Sequence, residues 1–317
     1  MKKGRHWNAE IRGREARAES ATENTRLLTD ALSRTSPRLR VPASPRPLPR
    51  PSKRLGQNFL VNRGVVERIL NALAPREDET IIEIGPGQGA LTAGLLERGG
   101  RVVAIEFDRQ LIPILERQFA SFPNFKLIEA DALDTDFCAE IHTASKARVV
   151  ANLPYNISTA ILQRLIEQRT CIDEMVLMLQ REVVDRITAE PGSTDRGFLT
   201  VLVEAYCKVE KLFDVAPGSF RPVPKVWSSV IRLQVREKGE IEVRDGSLFR
   251  VIVSAGFAQR RKTILNNLRN APDQALQELI KRHGGASIIL CRAEVALQRR
   301  AETLTLSEWS RLTGLLE

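Results

Sequence analysis

Four stretches of this chain join a polar or glycine residue to the end of a short apolar run. Thr80-Ile81-Ile82-Glu83-Ile84 runs into Gly85-Pro86-Gly87-Gln88-Gly89, and Val102-Val103-Ala104-Ile105 ends at Glu106. Lys126-Leu127-Ile128 ends near Asp131, and Arg148-Val149-Val150-Ala151 ends at Asn152. In open α/β sheets, ligands bind outside the carboxyl ends of the strands. Four runs that all end this way therefore point to one site.

The glycine loop lets the backbone approach a ligand closely and opens a helix. Alone it could be only a tight turn. Its spacing is GxGxG, with Ala90 where the dinucleotide fingerprint GxGxxG has its last glycine. Glu106 follows about 20 residues on, where an acid accepts bonds from ribose hydroxyls. Together they fit an adenosine-containing ligand without a pyrophosphate. They disfavour a nicotinamide-dependent oxidoreductase, which would also need a placed general base. The plain alternative for Glu106 is a solvated acid at a strand end. Asp131 could take the adenine amino group of such a ligand, or merely cap the following helix.

Asn152-Leu153-Pro154-Tyr155 suggests a second chemistry. An exocyclic adenine amine is a poor nucleophile because its lone pair is delocalised into the ring. Two acceptors aimed at its hydrogens favour a tetrahedral nitrogen with an available lone pair. The Asn152 side chain and the Leu153 carbonyl can supply them, and Pro154 fixes φ beside that carbonyl. Tyr155 can stack on the base. The alternative is an ordinary strand exit, where Asn and Pro are common.

The elements that must position these residues read as follows. Val65, Val66, Ile69, Leu70 and Leu73 recur at helical spacing, and Leu91, Leu95 and Leu96 follow the glycine loop. A helix is expected over 108–119, beginning with an acid, and another over 157–166. A fifth strand is expected over 175–179. Strand and helix thus alternate as in a doubly wound parallel α/β sheet. Apolar segments at 209–215 and 226–235 could add an antiparallel edge. Residues 245–317 read as helical only. The expected division is a tail over 1–52, a ligand-binding domain over 53–240 and a small all-helical domain over 241–317.

Charge locates a further partner. The net +9 falls entirely in residues 1–54, which hold 14 basic and 5 acidic residues. Six prolines lie between Pro37 and Pro51. Such a segment cannot bury enough apolar surface to offset its ordering entropy, so residues 1–52 are expected to be disordered. Residues 55–150 hold 10 basic and 14 acidic residues, whereas 151–317 hold a basic excess. A basic tail and second half suggest a polyanion such as nucleic acid. No apolar run reaches the ~18 residues of a membrane span, and no apolar leader opens the chain. Cys138, Cys171, Cys207 and Cys291 show no CxxC spacing, and the three histidines lie far apart. Free thiols in a reducing cytoplasm are expected, with no metal site.

The chain also resembles a known family. Leu55-Gly56-Gln57-Asn58-Phe59-Leu60, Glu83-Ile84-Gly85-Pro86-Gly87, Asn152-Leu153-Pro154-Tyr155 and Gln180-Arg181-Glu182-Val183 carry the resemblance. So do Phe220-Arg221-Pro222-Val223-Pro224-Lys225-Val226 and Arg260-Arg261-Lys262-Thr263. Together they resemble the S-adenosylmethionine-dependent rRNA adenine N6,N6-dimethyltransferases, and among these the small-subunit type. The resemblance implies a Rossmann-like methyltransferase sheet with a small helical C-terminal domain. It implies S-adenosyl-L-methionine as cofactor, held by Asn58, Leu60, Gly85, Glu106, Asp131 and Asn152. Small-subunit rRNA in a pre-30S particle would be the partner, the enzyme acting as a cytoplasmic monomer. Related chains act on large-subunit rRNA, and a non-catalytic assembly factor could share the fold. Phe220 would be the second aromatic at the target base, although by composition it could as well be a core residue. Arg260, Arg261 and Lys262, read as a basic helical stretch, would meet phosphates, or would simply be a solvated helix face. Two features depart from the pattern: the long tail, and Asp195-Arg196-Gly197-Phe198, where relatives often carry Tyr-Gly. The second puts local RNA contacts in question.

Overall fold

In a computed structural model, residues 51–52, 55–141, 146–237, 243 and 245–317 are described. The expectation of a disordered tail over 1–52 lies almost wholly outside them. The central element is a seven-stranded sheet in the order β4-β3-β2-β5-β6-β9-β7. Its strands are β2 (Thr80–Ile84), β3 (Arg101–Glu106), β4 (Phe125–Glu129), β5 (Ala147–Asn152), β6 (Ile172–Gln180), β7 (Cys207–Val215) and β9 (Ser228–Val235). The first five are parallel, and β9 and β7 add the antiparallel edge. Between them run α1 (Arg63–Leu73), α2 (Ala90–Glu97), α3 (Ile112–Phe119), α4 (Ser158–Glu167), α5 (Arg181–Ile187) and α6 (Phe198–Tyr206). The all-helical segment follows as α7 (Gly246–Gly256), α8 (Ile264–Arg269), α9 (Gln274–Arg282), α10 (Ala286–Arg292) and α11 (Leu306–Gly314). A two-stranded ribbon pairs β1 (Phe59–Leu60) with β8 (Phe220–Arg221). Among the described residues no helix is long and apolar enough to cross a membrane.

The strands are apolar on both faces because both faces are covered. Side chains alternate between two cores, as the two-residue period of a strand requires. Ile82, Val149 and Leu177 face one core, and Ile81, Val150 and Val176 face the other. The second core is closed by α1, α2 and α3 through Leu70, Leu95 and Leu115. The first holds Leu162 of α4 and Leu202 of α6, and also Phe249, Ile289 and Trp309 from the C-terminal helices.

Three expectations need correction. The helix expected from Asp108 begins at Ile112, with Pro113 in its first turn. Asp108 instead caps a turn, accepting from the Gln110 N–H at 3.0 Å and the Gln57 side chain at 2.7 Å. Arg260, Arg261 and Lys262 are exposed, but they lie in the turn between α7 and α8. Helix α8 cannot start earlier because Thr263 is its N-cap, its hydroxyl accepting from the Asn266 N–H at 3.3 Å. Finally, Cys138 and Cys171 are not free thiols. The segment after β4 and the turn after α4 bring their Cα atoms to 5.5 Å, and the two are disulfide-bonded. Cys207 and Cys291 remain unpaired.

Arg196, one of the departures from the family pattern, is 1% exposed. Its guanidinium donates to the Ala189 carbonyl at 3.0 Å and to the Glu204 carboxylate at 2.5 Å. It is a buried structural cation between α5 and α6.

Candidate active site

Strand register places the four predicted strand ends side by side. Ile84 pairs with Ile105 on one side and with Ala151 on the other. The next residue on each strand is Gly85, Glu106 and Asn152. Glu106 pairs in turn with Glu129, two residues before Asp131. The sheet order reverses between β2 and β5, and at that point a crevice opens. It holds a cavity of about 260 Å³ lined by Asn58, Leu60, Gly85, Glu106, Asp131, Asn152, Leu153, Pro154 and Tyr155, among others. The site residues expected from the strand ends are thus brought together, and so are Asn58 and Leu60, which only the resemblance implied.

The glycine loop has the geometry of a ligand cradle. Gly85 has φ +66°, and a Cβ there would meet no atom within 4 Å. The position is open toward the cavity and suits a residue without a side chain. Gly89, the N-cap of α2, has φ +79°, and a Cβ there would lie 2.7 Å from the Phe119 ring. This glycine is needed so that the loop can pack on α3.

Glu106 is 6% exposed, which removes the solvated-acid alternative. One carboxylate oxygen accepts from the N–H groups of Phe107 (2.9 Å) and Asp108 (2.8 Å), the other from Gly87 (3.2 Å). A carboxylate offers about four lone-pair positions, so one remains for a further donor. Burial pushes its carboxyl above the ordinary range, with the three N–H donors opposing. Glu83, on the same wall, is 1% exposed. Burial pushes it to about 7, the Thr92 hydroxyl (2.7 Å) pulls it back in part, and Glu106 adds repulsion. Two buried acids on one wall favour a ligand that brings positive charge and hydrogen-bond donors. Asp131 caps the turn that follows β4, not a helix. One of its oxygens accepts from the Leu133 N–H at 2.9 Å, and the other has no partner among the described residues.

The Asn152 side-chain amide is oriented by its Nδ2, which donates to the Asn58 carbonyl at 3.0 Å. Its Oδ1 and the Leu153 carbonyl have no partner among the described residues. Both are therefore left as acceptors at the cavity. The Tyr155 hydroxyl lies 2.7 Å from the Ser228 Oγ. Burial raises the Tyr155 phenol above its usual value, so it stays neutral near pH 7.

Phe220 is not brought to the site. It is fully buried among Phe59, Leu60, Val215 and Val230, held there by the β1–β8 pairing, and does not line the cavity. The expected stacking role is corrected to a packing role in this conformation. Arg260, Arg261 and Lys262 do not line the cavity either. Two wall residues were missed. Glu83 could have been noticed as an acid inside an otherwise apolar strand. Phe107, 53% exposed beside Glu106, carried a weaker signal: an apolar residue just beyond a strand end.

Known proteins resemble this chain in sequence and in fold. The sequence pattern of the family described as ribosomal RNA adenine dimethylase matches residues 50–311. A ribosomal RNA small subunit methyltransferase A from Pseudomonas aeruginosa is 47% identical over 220 residues, which is 69% of this chain and 82% of that protein. One of the same name from Chromohalobacter salexigens is 43% identical over 266 residues, 83% of this chain and 90% of that protein. The fold is that of a dimethyladenosine transferase from Plasmodium falciparum, with TM-score 0.65 at 24% identity, covering 80% of this chain and 95% of that one. With its four strand ends gathered at one crevice and the family pattern running through nearly all of its described residues, this chain belongs to the ribosomal RNA adenine dimethylase family.

Proposed function

We propose that this protein transfers methyl groups from S-adenosyl-L-methionine to N6 of two adjacent adenosines in a hairpin loop near the 3′ end of small-subunit rRNA, giving N6,N6-dimethyladenosine during subunit biogenesis. The observation that carries the reading is the Asn152 amide. Its donor end is bonded to the Asn58 carbonyl, which leaves an acceptor end, and the Leu153 carbonyl likewise has no partner among the described residues. That is the pair of acceptors an aromatic amine needs in order to become a nucleophile.

The residues present fit the cofactor. Gly85 opens onto the cavity, Glu106 keeps capacity for a ribose hydroxyl, and the Asp131 oxygen left over can accept from an amine. Asn58 and Leu60 close the same wall. The two buried acids, Glu83 and Glu106, suit a cationic molecule. When bound, the sulfonium supplies an activated methyl group, so the protein's task is alignment. Asn152 and Leu153 accept from the two amine hydrogens, Pro154 holds the carbonyl, and Tyr155 takes the face of the base. A neutral Tyr155 phenol is not the base, and the proton lost from nitrogen passes to water. After the first transfer one hydrogen remains, so one acceptor gives way to the new methyl. Unpaired loop adenosines reach such a pocket at least cost in lost stacking. The exposed Arg260-Arg261-Lys262 turn would meet phosphates. A small-subunit rRNA substrate places the work in the cytoplasm.

The test is tritium transfer from labelled S-adenosylmethionine to small and large ribosomal subunits lacking the modification. Label should enter the small subunit, and Asn152→Ala should lower kcat about 100-fold or more with cofactor affinity nearly unchanged. Label in the large subunit alone, or an Asn152→Ala variant above a tenth of the wild-type rate, would overturn the reading.

A further inference from the structure

The chain has three tryptophans. Trp309 is fully buried, whereas Trp227 is 45% exposed. A half-exposed indole leaves apolar area in water that a ligand could cover. Trp227 ends the run Arg221–Trp227 between β8 and β9, in which every residue except Pro224 is exposed. Val223 (57% exposed) and Val226 (43%) belong to the same run. So do Arg221 and Lys225, and no acid occurs between Asp214 and Glu237. The Arg181 guanidinium lies 5.9 Å from the centre of the indole, and the Arg181 N–H donates to the Trp227 carbonyl at 2.9 Å. Two acids flanking the loop's neighbours have other partners. Glu182 pairs with Arg186, and Asp214 with Lys211 and the Ser229 hydroxyl. The loop is thus an exposed apolar surface carrying positive charge.

This surface continues into the active site. Trp227 is followed by Ser228, whose Oγ is 2.7 Å from the Tyr155 hydroxyl. Arg181 follows Gln180, which pairs with Ser228 across β6 and β9. The indole therefore sits one residue from the partner of the tyrosine that meets the target base.

We propose that Trp227 is a stacking platform for the nucleotide next to the target adenosine, with Arg181 and Lys225 taking the flanking phosphates. The proposal rests on the methyltransferase reading above and adds a substrate contact to it. A base drawn out of its loop leaves its neighbour without a stacking partner. An exposed aromatic face beside the exposed cations Arg181 and Lys225 supplies one. In a reaction on two adjacent adenosines, the neighbour of one target is the other target. Trp227 then holds the second adenosine while the first occupies the cavity. A protein partner could cover the same apolar residues, but it would not account for a run free of acids.

The test compares wild type, Trp227→Ala and Trp227→Phe in methyl transfer to small subunits lacking the modification. Trp227→Ala should raise KM for the subunit about 5- to 30-fold, the scale of a lost base–aromatic stack. Its kcat should stay within about twofold, with cofactor Kd unchanged. Trp227→Phe should recover most of the KM. Binding is read separately with a short RNA hairpin whose loop carries two adjacent adenosines. In a Trp7→Phe background, the hairpin should quench the indole emission of Trp227 and leave buried Trp309 unaffected. An unchanged KM for Trp227→Ala overturns the proposal while leaving the methyltransferase reading intact. So does equal loss in both variants with a fall in thermal midpoint. A raised KM on subunits with unchanged hairpin affinity would place a ribosomal protein at this surface, and also overturns it. If wild type itself transfers no methyl to RNA, the methyltransferase reading fails and the proposal falls with it.

Discussion

Replacing Glu83 with Gln isolates the charge of the buried acid on the cavity wall. Glu83 is 1% exposed, and its Oε2 accepts from the Thr92 hydroxyl at 2.7 Å. Gln keeps the shape and an acceptor for that hydroxyl, so packing is preserved. The carboxyl has an ordinary value of 4.5 and is pushed by burial to about 7 in the fold. Between these values the folded protein holds a proton that the unfolded chain has released. Stability therefore falls as pH rises through the window. The cost is absent well below 4.5 and complete above about 7. At 1.36 kcal/mol per pH unit, the complete cost is about 3 kcal/mol. Most of it appears between pH 5 and pH 8, so Glu83→Gln should gain about 2 to 3 kcal/mol on wild type across that range. Urea unfolding of both proteins at half-unit pH steps reads the gap, with Glu106, which repels Glu83, the one neighbouring acid whose titration also changes. A gap that stays constant with pH would refute the reasoning. A gap that shrinks would mean that Glu83 is ionised and paired in the fold.

Other perturbations follow from the same geometry. Glu106→Ala should weaken cofactor binding by about 1.5 to 3 kcal/mol, the scale of hydrogen bonds to a charged group; unchanged affinity by calorimetry would remove Glu106 from the ribose. Phe220→Ala should cost about 3 to 5 kcal/mol of stability as a buried aromatic truncated in a core. Loss of turnover at full stability would instead return Phe220 to the substrate. The Cys138→Ser, Cys171→Ser double variant opens a 33-residue loop and should lose about 2 to 4 kcal/mol. Wild type in dithiothreitol should follow it, and identical urea midpoints with and without reductant would show that the pair is not bonded.

The parallel strands were legible because each is a short apolar run ended by a residue that does not belong in a core. Ile81, Val102 and Val149 need no partner to be recognised as buried. The antiparallel edge, at 209–215 and 226–235, was legible from apolar residues alone, although β7 carries the exposed Lys208, Glu210, Lys211 and Asp214. The ribbon of β1 and β8 was not. It is two residues long on each side and joins positions about 160 apart, so nothing local announces it. The buried place of Phe220 follows directly. An aromatic before Arg-Pro looks the same whether it is presented to a ligand or paired to Leu60. Arg260-Arg261-Lys262 looked helical because basic residues favour helices, but Thr263 already carried the stop signal as an N-cap. The disulfide was missed because the separation of Cys138 and Cys171 says nothing about distance until α4 turns the chain back.

The segment before α1 gains its meaning only in three dimensions. Spacing alone gave no reason to join Asn58 to Asn152, which lie 94 residues apart. In the fold, the Asn58 carbonyl receives the Asn152 Nδ2, while the Asn58 side chain donates to Gly56 at 3.3 Å. The backbone of the 55–60 segment thus chooses which end of the Asn152 amide is offered to a substrate. A rotated amide would present a donor where an acceptor is needed, and the amine would meet hydrogens instead of lone pairs. Leu60 ties the same segment to Phe220 through the ribbon, and Gln57 ties it to Asp108 beyond β3. Packing far from the reacting atoms, at Phe220 and at Asp108, is in this way connected to the orientation of one amide. The family resemblance accordingly begins upstream of the sheet, because the acceptor at Asn152 is oriented from there.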